Sequence, residues 1–344
     1  MVGISVIICT HNPRPDYLER VLDALREQTL PKEEWELILI DNASDTPLSD
    51  TYVVSAHPQA RLIREDELGL TPARLRGIQE SGGDILVYVD DDTVLAPHYL
   101  ETTRDLMTEH PNLGVIGAGV LEPEFAVQPP KELIPYLTNL SLRHVSERFW
   151  STNTRDRISV PWGAGLCVRR EVGDSYQQLL KCLNVTELLD RRGEALFSNG
   201  DVAFSWASVA LGRGFGVFPE LHVTHLISAD RLTQRYFLQL AHDTHLCSGV
   251  LEYLREGVIP GNDHSRGERW IRLILHGIRR GVFSMRLKRA ASNGMDGARH
   301  FINQRHLKPL DQGNPYAAGS GSVQFVAEAL ASGKLIARRR TKAS

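Results

Sequence analysis

The sequence predicts an α/β fold in which helices cover a mostly parallel β-sheet. Short β-branched apolar runs alternate with segments of helical periodicity along the first part of the chain, and this alternation is typical of βαβ units. The runs are apolar on both faces, as strands buried in a parallel sheet are. The predicted strands cover residues 4–10, 35–40, 61–64, 84–89, 113–119 and 216–223. The predicted helices between them cover residues 16–28, 71–80, 98–110 and 201–210.

Long helical patterns replace this alternation after the last predicted strand. They cover residues 231–256 and 267–291, and the segment after them is rich in glycine and serine. We therefore predict an α/β domain over residues 1–228, a helical C-terminal extension over 229–311, and a flexible linker with a basic tail over 312–344. The proline-rich segment 122–153 is expected to be irregular.

Composition and charge exclude several classes of protein. The chain has 344 residues and a formal net charge of −3, so no overall electrostatic field favours nucleic acid. Its four cysteines are widely spaced, which argues against a thiolate zinc site and a disulfide framework. The N-terminus lacks the pattern of a signal peptide, and the apolar runs are shorter than a membrane span. We therefore expect a cytoplasmic protein with no nucleic-acid partner.

Three adjacent aspartates, Asp90, Asp91 and Asp92, follow the predicted strand 84–89 directly. Neighbouring carboxylates repel each other, and their pKa values rise unless a cation compensates their charge. A divalent cation does so well, and Mg²⁺ typically binds one or two carboxylates together with substrate phosphates. The alternative is a solvated turn in which Asp92 or Thr93 caps the next helix.

Polar residues also follow two other predicted strands, at positions 10–12 and 41–42. Ligands of open parallel sheets bind beyond the carboxyl ends of the strands. We therefore expect these two clusters and the acidic triplet to meet at one edge of the sheet.

These residues, in this order, resemble the family 2 glycosyltransferases, which have the GT-A fold. The matching stretches are 6–12, 37–45, 73–77, 83–85, 89–92, 163–165, 169–170, 199–201 and 223–225. The resemblance covers about residues 3–226. Each stretch alone is weakly specific, whereas their order and spacing together are specific.

The resemblance implies a nucleotide-sugar site on one side of the sheet edge. Thr10 and Asn12 would line the nucleotide, and Asp41 would accept a hydrogen bond from the base. Arg74 would lie near the donor phosphates or the base, and Asp90 would contact the ribose or a metal-bound water. Considered in isolation, Arg74 is better explained as a solvated charge on a helix.

The resemblance also implies a metal site and a catalytic base. Asp92 would bind Mn²⁺ or Mg²⁺, with His225 completing the metal or diphosphate site, and Asp201 would be the base. Considered alone, His225 is a strand-end histidine and Asp201 a first-turn acid favoured by the helix dipole. The chain departs from the family pattern in two places: Gly200 stands where an acidic residue usually precedes the base, and Leu75 replaces an asparagine.

The predicted reaction is a direct displacement at the sugar C1, with inversion implied by the family. Asp201 would remove the proton of the acceptor hydroxyl, and the metal would neutralise the leaving diphosphate. A UDP-sugar is favoured as donor, and the acceptor is a carbohydrate, a lipid-linked glycan or a small molecule.

Two other functions are compatible with parts of the pattern. A sugar-phosphate nucleotidyltransferase is expected to have a glycine-rich loop with Arg and Lys where this chain has residues 10–15. A catalytically impaired nucleotide-sugar-binding protein of the same fold is favoured by Gly200 and disfavoured by Asp92, Asp201 and His225 together.

Residues 266–289 combine many Arg and Lys residues with apolar ones at helical spacing. This pattern indicates either a peripheral contact with an anionic membrane surface or a helix that packs on the first domain with a solvated basic face. Gly277 and Gly281 weaken an isolated helix.

Overall fold

A mixed β-sheet forms the centre of the molecule. The computed structural model describes residues 3–48, 57–260, 277 and 281–317, and within them ten strands form one sheet. Its main path runs β3-β2-β1-β4-β9-β6-β10-β5, with β7 paired to β6 and β8 paired to β10. The strands are β1 (Ile4–Thr10), β2 (Trp35–Asn42), β3 (Ala60–Glu65), β4 (Ile85–Asp90), β5 (Thr93–Leu95), β6 (Leu113–Phe125), β7 (Arg143–His144), β8 (Phe149–Ser151), β9 (Leu166–Arg169) and β10 (Gly214–Ile227).

Helices cover both faces of this sheet. They are α1 (Pro15–Arg26), α2 (Leu70–Glu80), α3 (Tyr99–Glu109), α4 (Arg170–Leu183), α5 (Gly200–Ala210), α6 (Gln234–Glu256) and α7 (Val282–Gln304). Alternate residues of β1 enter two different cores: Val6 and Ile8 pack with α1 and α3, whereas Ile7 packs with α2, α4 and α5. This two-sided burial explains the unbroken apolar run of β1.

The predicted α/β fold class is confirmed, and the longest strand pairings are parallel: β1 with β2 and β4, β2 with β3, and β6 with β10. Strand β9 runs antiparallel to both β4 and β6. The C-terminal residues of β1, β2 and β4 therefore share one edge, as expected.

Several boundaries differ from the sequence prediction, most clearly those of β6 and β10. Strands β6 and β10 continue beyond residues 119 and 223, because each supplies the other with backbone hydrogen bonds up to the pair Phe125–Ile227. The segment 122–153 is thus not wholly irregular: besides the end of β6 it contains a 3-10 turn at Ile134–Leu140 and two short strands, β7 and β8. Helix α2 begins after Gly69 instead of at Thr71, because the Asn42 side chain accepts a hydrogen bond from the Gly69 N–H.

Helix α4 was not predicted, although it buries Tyr176, Leu179 and Leu180 on one face. Helix α7 continues to Gln304, beyond the predicted end at residue 291. Much of the basic stretch 266–289 and the tail from residue 318 lie outside the described residues, so their predicted roles stay predictions. None of the described helices is both long enough and apolar enough to span a membrane.

The two C-terminal helices α6 and α7 cross at a glycine. A Cβ atom at Gly294 would press on the His242 carbonyl oxygen and lie 3.1 Å from the Leu246 nitrogen. These are backbone atoms, so the contact is relieved only by moving one helix away from the other. Gly297, on the same helix, would place its Cβ 3.3 Å from the flexible end of Leu246.

We expect Gly294→Ala to destabilise the protein by about 1–3 kcal/mol, a typical cost of overpacking, although alanine is the better helix former. Thermal unfolding measures this as a lower Tm. Gly297→Ala is the matched control and is expected to leave Tm nearly unchanged. Equal effects of the two substitutions would contradict a close crossing at Gly294.

Candidate active site

The polar ends of three strands meet at one edge of the sheet. In the strand register Thr10 lies beside Asp41, and Cys9 lies beside Asp90. The Thr10 hydroxyl donates a hydrogen bond to Asp91. The clusters expected to converge therefore do so.

Asn12 joins the loop after β1 to the loop after β2. Its backbone N–H donates to the Ser44 hydroxyl at 2.9 Å, and its side-chain amide donates to Asp45 at 3.0 Å. The Asp45 N–H donates back to the Asn12 side chain at 2.9 Å. Asn12 has a φ of 49°, which asparagine tolerates better than most residues. The two loops are thereby held in one arrangement.

Asp41 is buried and fully engaged in hydrogen bonds. One carboxylate oxygen accepts from the Ser44 N–H at 3.3 Å, and the other accepts from the Leu48 N–H at 3.1 Å and from Arg64 at 2.8 Å. Burial alone raises the pKa of Asp41, but these hydrogen bonds and the Arg64 charge outweigh it and hold that pKa below its usual range. Asp41 thus holds the loop after β2 in its conformation, in addition to the nucleotide contact that the resemblance implies.

The acidic triplet contains carboxylates in three different environments. Burial and the neighbouring Asp92 charge raise the pKa of Asp90. The same two causes raise the pKa of Asp91 to about 7, although the Thr10 hydrogen bond opposes the rise. Burial acts on Asp92 as well, yet the Arg231 and His225 side chains hold its pKa well below the usual range. Asp92 is therefore the member of the triplet whose ionised form its neighbours favour.

Asp92, His225 and Arg231 form a compact group at the start of β5 and the end of β10. The Leu226 N–H donates to the Asp92 carbonyl oxygen at 2.8 Å, which fixes the two segments together. The His225 Nε2 atom lies 3.6 Å from the Asp92 carboxylate, and Arg231 contacts that carboxylate at 2.8 Å. An Arg231 nitrogen also lies 3.0 Å from His225 Nε2.

This group fits a divalent cation that completes its coordination with a substrate. Within the described part of the chain no three or more His, Cys, Asp and Glu side chains are gathered to hold a metal by themselves. Asp92 and His225 nevertheless offer an oxygen and an imidazole nitrogen close together, and metals of this kind commonly take further ligands from phosphates and water. Arg231 contacts both atoms, so a metal held by them must displace its guanidinium.

Arg74 is buried on α2 and paired with an aspartate that was not predicted as a site residue. Its Nη1 atom donates to both carboxylate oxygens of Asp190, at 2.9 and 3.0 Å, and Thr71 donates to the same carboxylate at 3.0 Å. A Cβ atom on Gly163 would lie 2.8 Å from Arg74 Nη2, so a side chain at this position would push on the guanidinium. Arg74 is thus directed to Asp190 in this structure.

Asp201 stands in the first turn of α5. Its Oδ1 atom accepts a hydrogen bond from the Val202 N–H at 2.7 Å. Burial raises the pKa of Asp201 to about 6, with Asp190 adding to the rise and Arg74 opposing it. A carboxylate of this kind is mostly ionised near neutral pH and more basic than an ordinary aspartate.

A cavity of about 700 Å³ separates Asp201 from the C-terminal helices. Its inner wall includes Asp201, His225 and Arg231, and its outer wall comes from α6 and α7. Trp162 also lines it, and the Arg143 guanidinium stacks on the Trp162 ring at 3.8 Å. The outer wall consists of Tyr236, Leu240, Ala241, Thr244, His245, Ser284, Leu287, Lys288 and Ala291.

The structure therefore groups most of the predicted site residues into three clusters, whereas Arg74 is paired with Asp190 and Asp201 lines the cavity. Asn12 and Asp41 hold the loops at one end, Thr10 contacts the acidic triplet, and Asp92 and His225 form the group with Arg231. Sequence reasoning missed Arg231 and Asp190. The only sequence signal for Arg231 is its position six residues after His225, and Asp190 has none, since it follows an ordinary apolar stretch.

Comparison with known proteins finds relatives for the N-terminal part of the chain. Residues 5–159 match the family model described as Glycosyl transferase family 2. Glycosyltransferase AglE of Haloferax volcanii is 32% identical over 108 residues, which cover 30% of this chain and 34% of that protein. The amylovoran biosynthesis glycosyltransferase AmsE of Erwinia amylovora is 30% identical over 125 residues, which cover 34% of this chain and 45% of that protein.

The matched part spans less than half the length of these two relatives. Among solved structures, Staphylococcus aureus TarS 1–349 in complex with UDP-GlcNAc superposes with a TM-score of 0.45 at 14% identity. That superposition covers 92% of this chain and 99% of that one. Residues 5–159, which make up less than half of the chain, are thus similar to glycosyl transferase family 2.

Proposed function

We propose that the protein is an inverting, metal-dependent glycosyltransferase that moves a sugar from a nucleotide-diphosphate sugar to an acceptor hydroxyl. The observation that carries this proposal is that Asp201 and His225 line one cavity, while His225 lies 3.6 Å from Asp92. A basic carboxylate and one member of the proposed cation-binding pair thus face the same space, as a displacement between a hydroxyl and a sugar diphosphate requires.

The nucleotide is proposed to bind at the ends of β1, β2 and β4. Thr10, Asn12, Asp41 and Asp90 lie there, and their loops are tied together by the hydrogen bonds described above. Arg74 is proposed to lie near the donor phosphates or the base, with its guanidinium paired with Asp190. A UDP-sugar is favoured as donor because UDP is common in the family.

Asp92 and His225 are proposed to hold Mn²⁺ or Mg²⁺. Such an ion, when bound, supplies positive charge that neutralises the leaving diphosphate. Arg231 already offers positive charge at the same place, and it must move from Asp92 when the ion binds. We infer that Arg231 then faces the diphosphate, because its guanidinium forms bidentate contacts with phosphate well.

Asp201 is proposed to act as the general base. Its Oδ1 atom is occupied by the Val202 N–H, which leaves Oδ2 to take the proton of the acceptor hydroxyl. The acceptor oxygen forms its bond to the sugar C1 as the bond from C1 to the diphosphate breaks, and that electron pair leaves with the diphosphate. The raised pKa makes Asp201 a stronger base than a solvated aspartate.

The acceptor is proposed to enter between the α/β domain, residues 1–228, and the helical extension, residues 229–311. Helices α6 and α7 supply aromatic, apolar, hydroxyl and basic side chains to that wall. These groups suit a carbohydrate, a lipid-linked glycan or a small-molecule acceptor.

The first experiment is a thermal-shift screen with UDP, GDP and dTDP, each with Mn²⁺, followed by donor hydrolysis with the matching sugar nucleotides. Stabilisation follows affinity for the folded state, so one nucleotide is expected to raise Tm more than the others. Binding without hydrolysis or transfer to any acceptor would favour the catalytically impaired nucleotide-sugar-binding protein instead.

Asp201→Asn is expected to lower turnover by about 10²–10⁴-fold, the usual contribution of a general base, while nucleotide binding stays nearly unchanged. Because the base must be ionised, wild-type activity is expected to fall as the pH drops through about 6. Release of the nucleotide between pH 5 and 8 measures both effects. The exposed Asp174→Asn is the control, and normal turnover by Asp201→Asn would show that another group is the base.

Arg231→Met is expected to strengthen Mn²⁺ binding in the absence of nucleotide by about tenfold, equal to ~1.4 kcal/mol. The substitution removes the charge that competes for Asp92 and His225 and keeps a flexible, unbranched side chain. Electron paramagnetic resonance of free Mn²⁺ measures the affinity. Arg235→Met, at an exposed position one turn further on, is the control, and equal affinities of all three proteins would contradict the competition.

Ala241→Trp is expected to fill the cavity from α6 and to lower transfer to an acceptor by at least about tenfold. Nucleotide and Mn²⁺ binding are expected to stay nearly unchanged, because Ala241 lies on the wall opposite the sheet edge. Transfer rates and calorimetric nucleotide affinities distinguish the two effects. The exposed Arg235→Trp is the control, and a loss of nucleotide binding in Ala241→Trp alone would place the donor at this wall instead.

A further inference from the structure

The residue before the proposed base is a glycine because another carboxylate occupies the space beside it. A Cβ atom built on Gly200 would lie 2.5 Å from Asp190 Oδ1 and 2.7 Å from Asp190 Cγ. Contacts this short do not occur, so a side chain at position 200 and the Asp190 carboxylate exclude each other. The Asp190 carboxylate thus fills the volume in which a side chain preceding Asp201 would begin.

Asp190 is held in this place from two sides. Thr71 and Arg74, one helical turn apart on α2, donate to its carboxylate at 2.9–3.0 Å. On the other side, the Gly200 N–H donates to the carbonyl oxygen of Leu189 at 3.1 Å, which fixes the segment before Asp190 against the start of α5. Asp190 is 7% exposed and Arg74 is 3% exposed. A buried ion pair therefore bridges α2 to the turn that carries Asp201.

We propose that Asp190 is a positioning residue for the transfer reaction. Its buried carboxylate neutralises Arg74 beside the catalytic base. This proposal rests on the proposed function, in which Asp201 is that base. It explains how the chain can have a glycine at position 200 and still keep a negative charge next to Asp201.

The charges around Asp201 explain why this carboxylate matters. Arg74 and Arg143 lower the pKa of Asp201, whereas Asp190 raises it. The other charged or titratable side chains that share the cavity with Asp201 are mostly basic: Arg157, Arg191, His225, Arg231, Tyr236, His245 and Lys288. The negative charge of Asp190 thus counteracts the effect of the basic side chains on the pKa of Asp201. If its charge is removed, Arg74 acts on Asp201 uncompensated, and the base weakens.

The first test is Asp190→Asn, which keeps the size of the side chain and removes its charge. The acid limb of the pH–rate profile for donor hydrolysis is expected to move to lower pH by at least about half a unit. The reason is that loss of a neighbouring negative charge lowers the pKa of Asp201. We expect kcat to fall by about tenfold while KM for the donor changes little, because a weaker base slows the proton transfer without removing a donor contact. A merely structural role for Asp190 would not move the pH limb.

The second test measures Asp201 without relying on activity. In protein labelled with ¹³C at the aspartate carboxyl carbons, the Asp201 resonance is assigned by its loss in Asp201→Asn. Its titration midpoint is expected near pH 6 in the wild type and lower in Asp190→Asn. If the wild type hydrolyses no sugar nucleotide, the proposed function fails, whereas this titration still tests the influence of Asp190 on Asp201.

The third test moves the carboxylate. Gly200→Asp alone is expected to lower Tm by several degrees, because its side chain collides with Asp190. In combination with Asp190→Ala the space is free, so the double variant is expected to recover the pH limb and most of the Tm that Asp190→Ala alone loses. Asp190→Ala with Gly200→Asn is the matched control, since it fills the same space without a charge.

Two results would overturn the proposal. One is an unchanged Asp201 titration and an unchanged pH limb in folded Asp190→Asn. The other is recovery of the pH limb by Gly200→Asn as complete as that by Gly200→Asp, which would mean that only the filled volume matters. Recovery by the aspartate alone would support the proposal.

Discussion

Burying carboxylates at one edge of a β-sheet is the constraint on which the rest of this structure depends. A buried, unpaired carboxylate is costly, and a buried ion pair offsets that cost only when it is close and well hydrogen-bonded. The chain meets this constraint with arginines from distant segments. Arg64 contacts Asp41 at 2.8 Å, Arg74 contacts Asp190 at 2.9 Å, and Arg231 contacts Asp92 at 2.8 Å.

Each of these pairs joins two segments of the chain at or near the sheet edge. Arg64 on β3 fixes the loop after β2 through Asp41, at the proposed nucleotide end of the site. Arg231, in the turn after β10, closes on Asp92 and His225 at the proposed metal position. Arg74 and Asp190 tie α2 to the turn before α5, where Asp201 stands. The pairs thus lie at the three places of the proposed reaction, where the nucleotide, the metal and the base are expected.

The pairs also differ in how permanent they are. Arg74 and Asp190 are both buried, and no ligand needs to separate them. Arg231 is partly exposed, with a side-chain accessibility of 29%, and it occupies the atoms that a divalent cation needs. The buried pair therefore belongs to the scaffold, whereas the pair at Asp92 is the one that substrate binding can exchange.

The sequence was informative where polar functional residues directly follow an apolar strand. Thr10, Asp41 and Asp90 end buried runs, so the rule for parallel sheets places them together, and the register confirms that placement. Arg64, Asp190 and Arg231 could not be found in this way, because each acts through a partner far away in the chain and leaves no periodic signal. The antiparallel direction of β9 and helix α4 were missed as well, since they depend on tertiary packing.

The central claim is that Asp201, acting alone as base, drives a single displacement at the sugar C1. Hydrolysis of an α-linked sugar nucleotide tests it most directly, with ¹H NMR recording the anomeric form of the sugar before it equilibrates. One displacement with water as acceptor predicts that the β-anomer appears first. First release of the α-anomer would contradict the claim, because net retention requires a second displacement or a different mechanism.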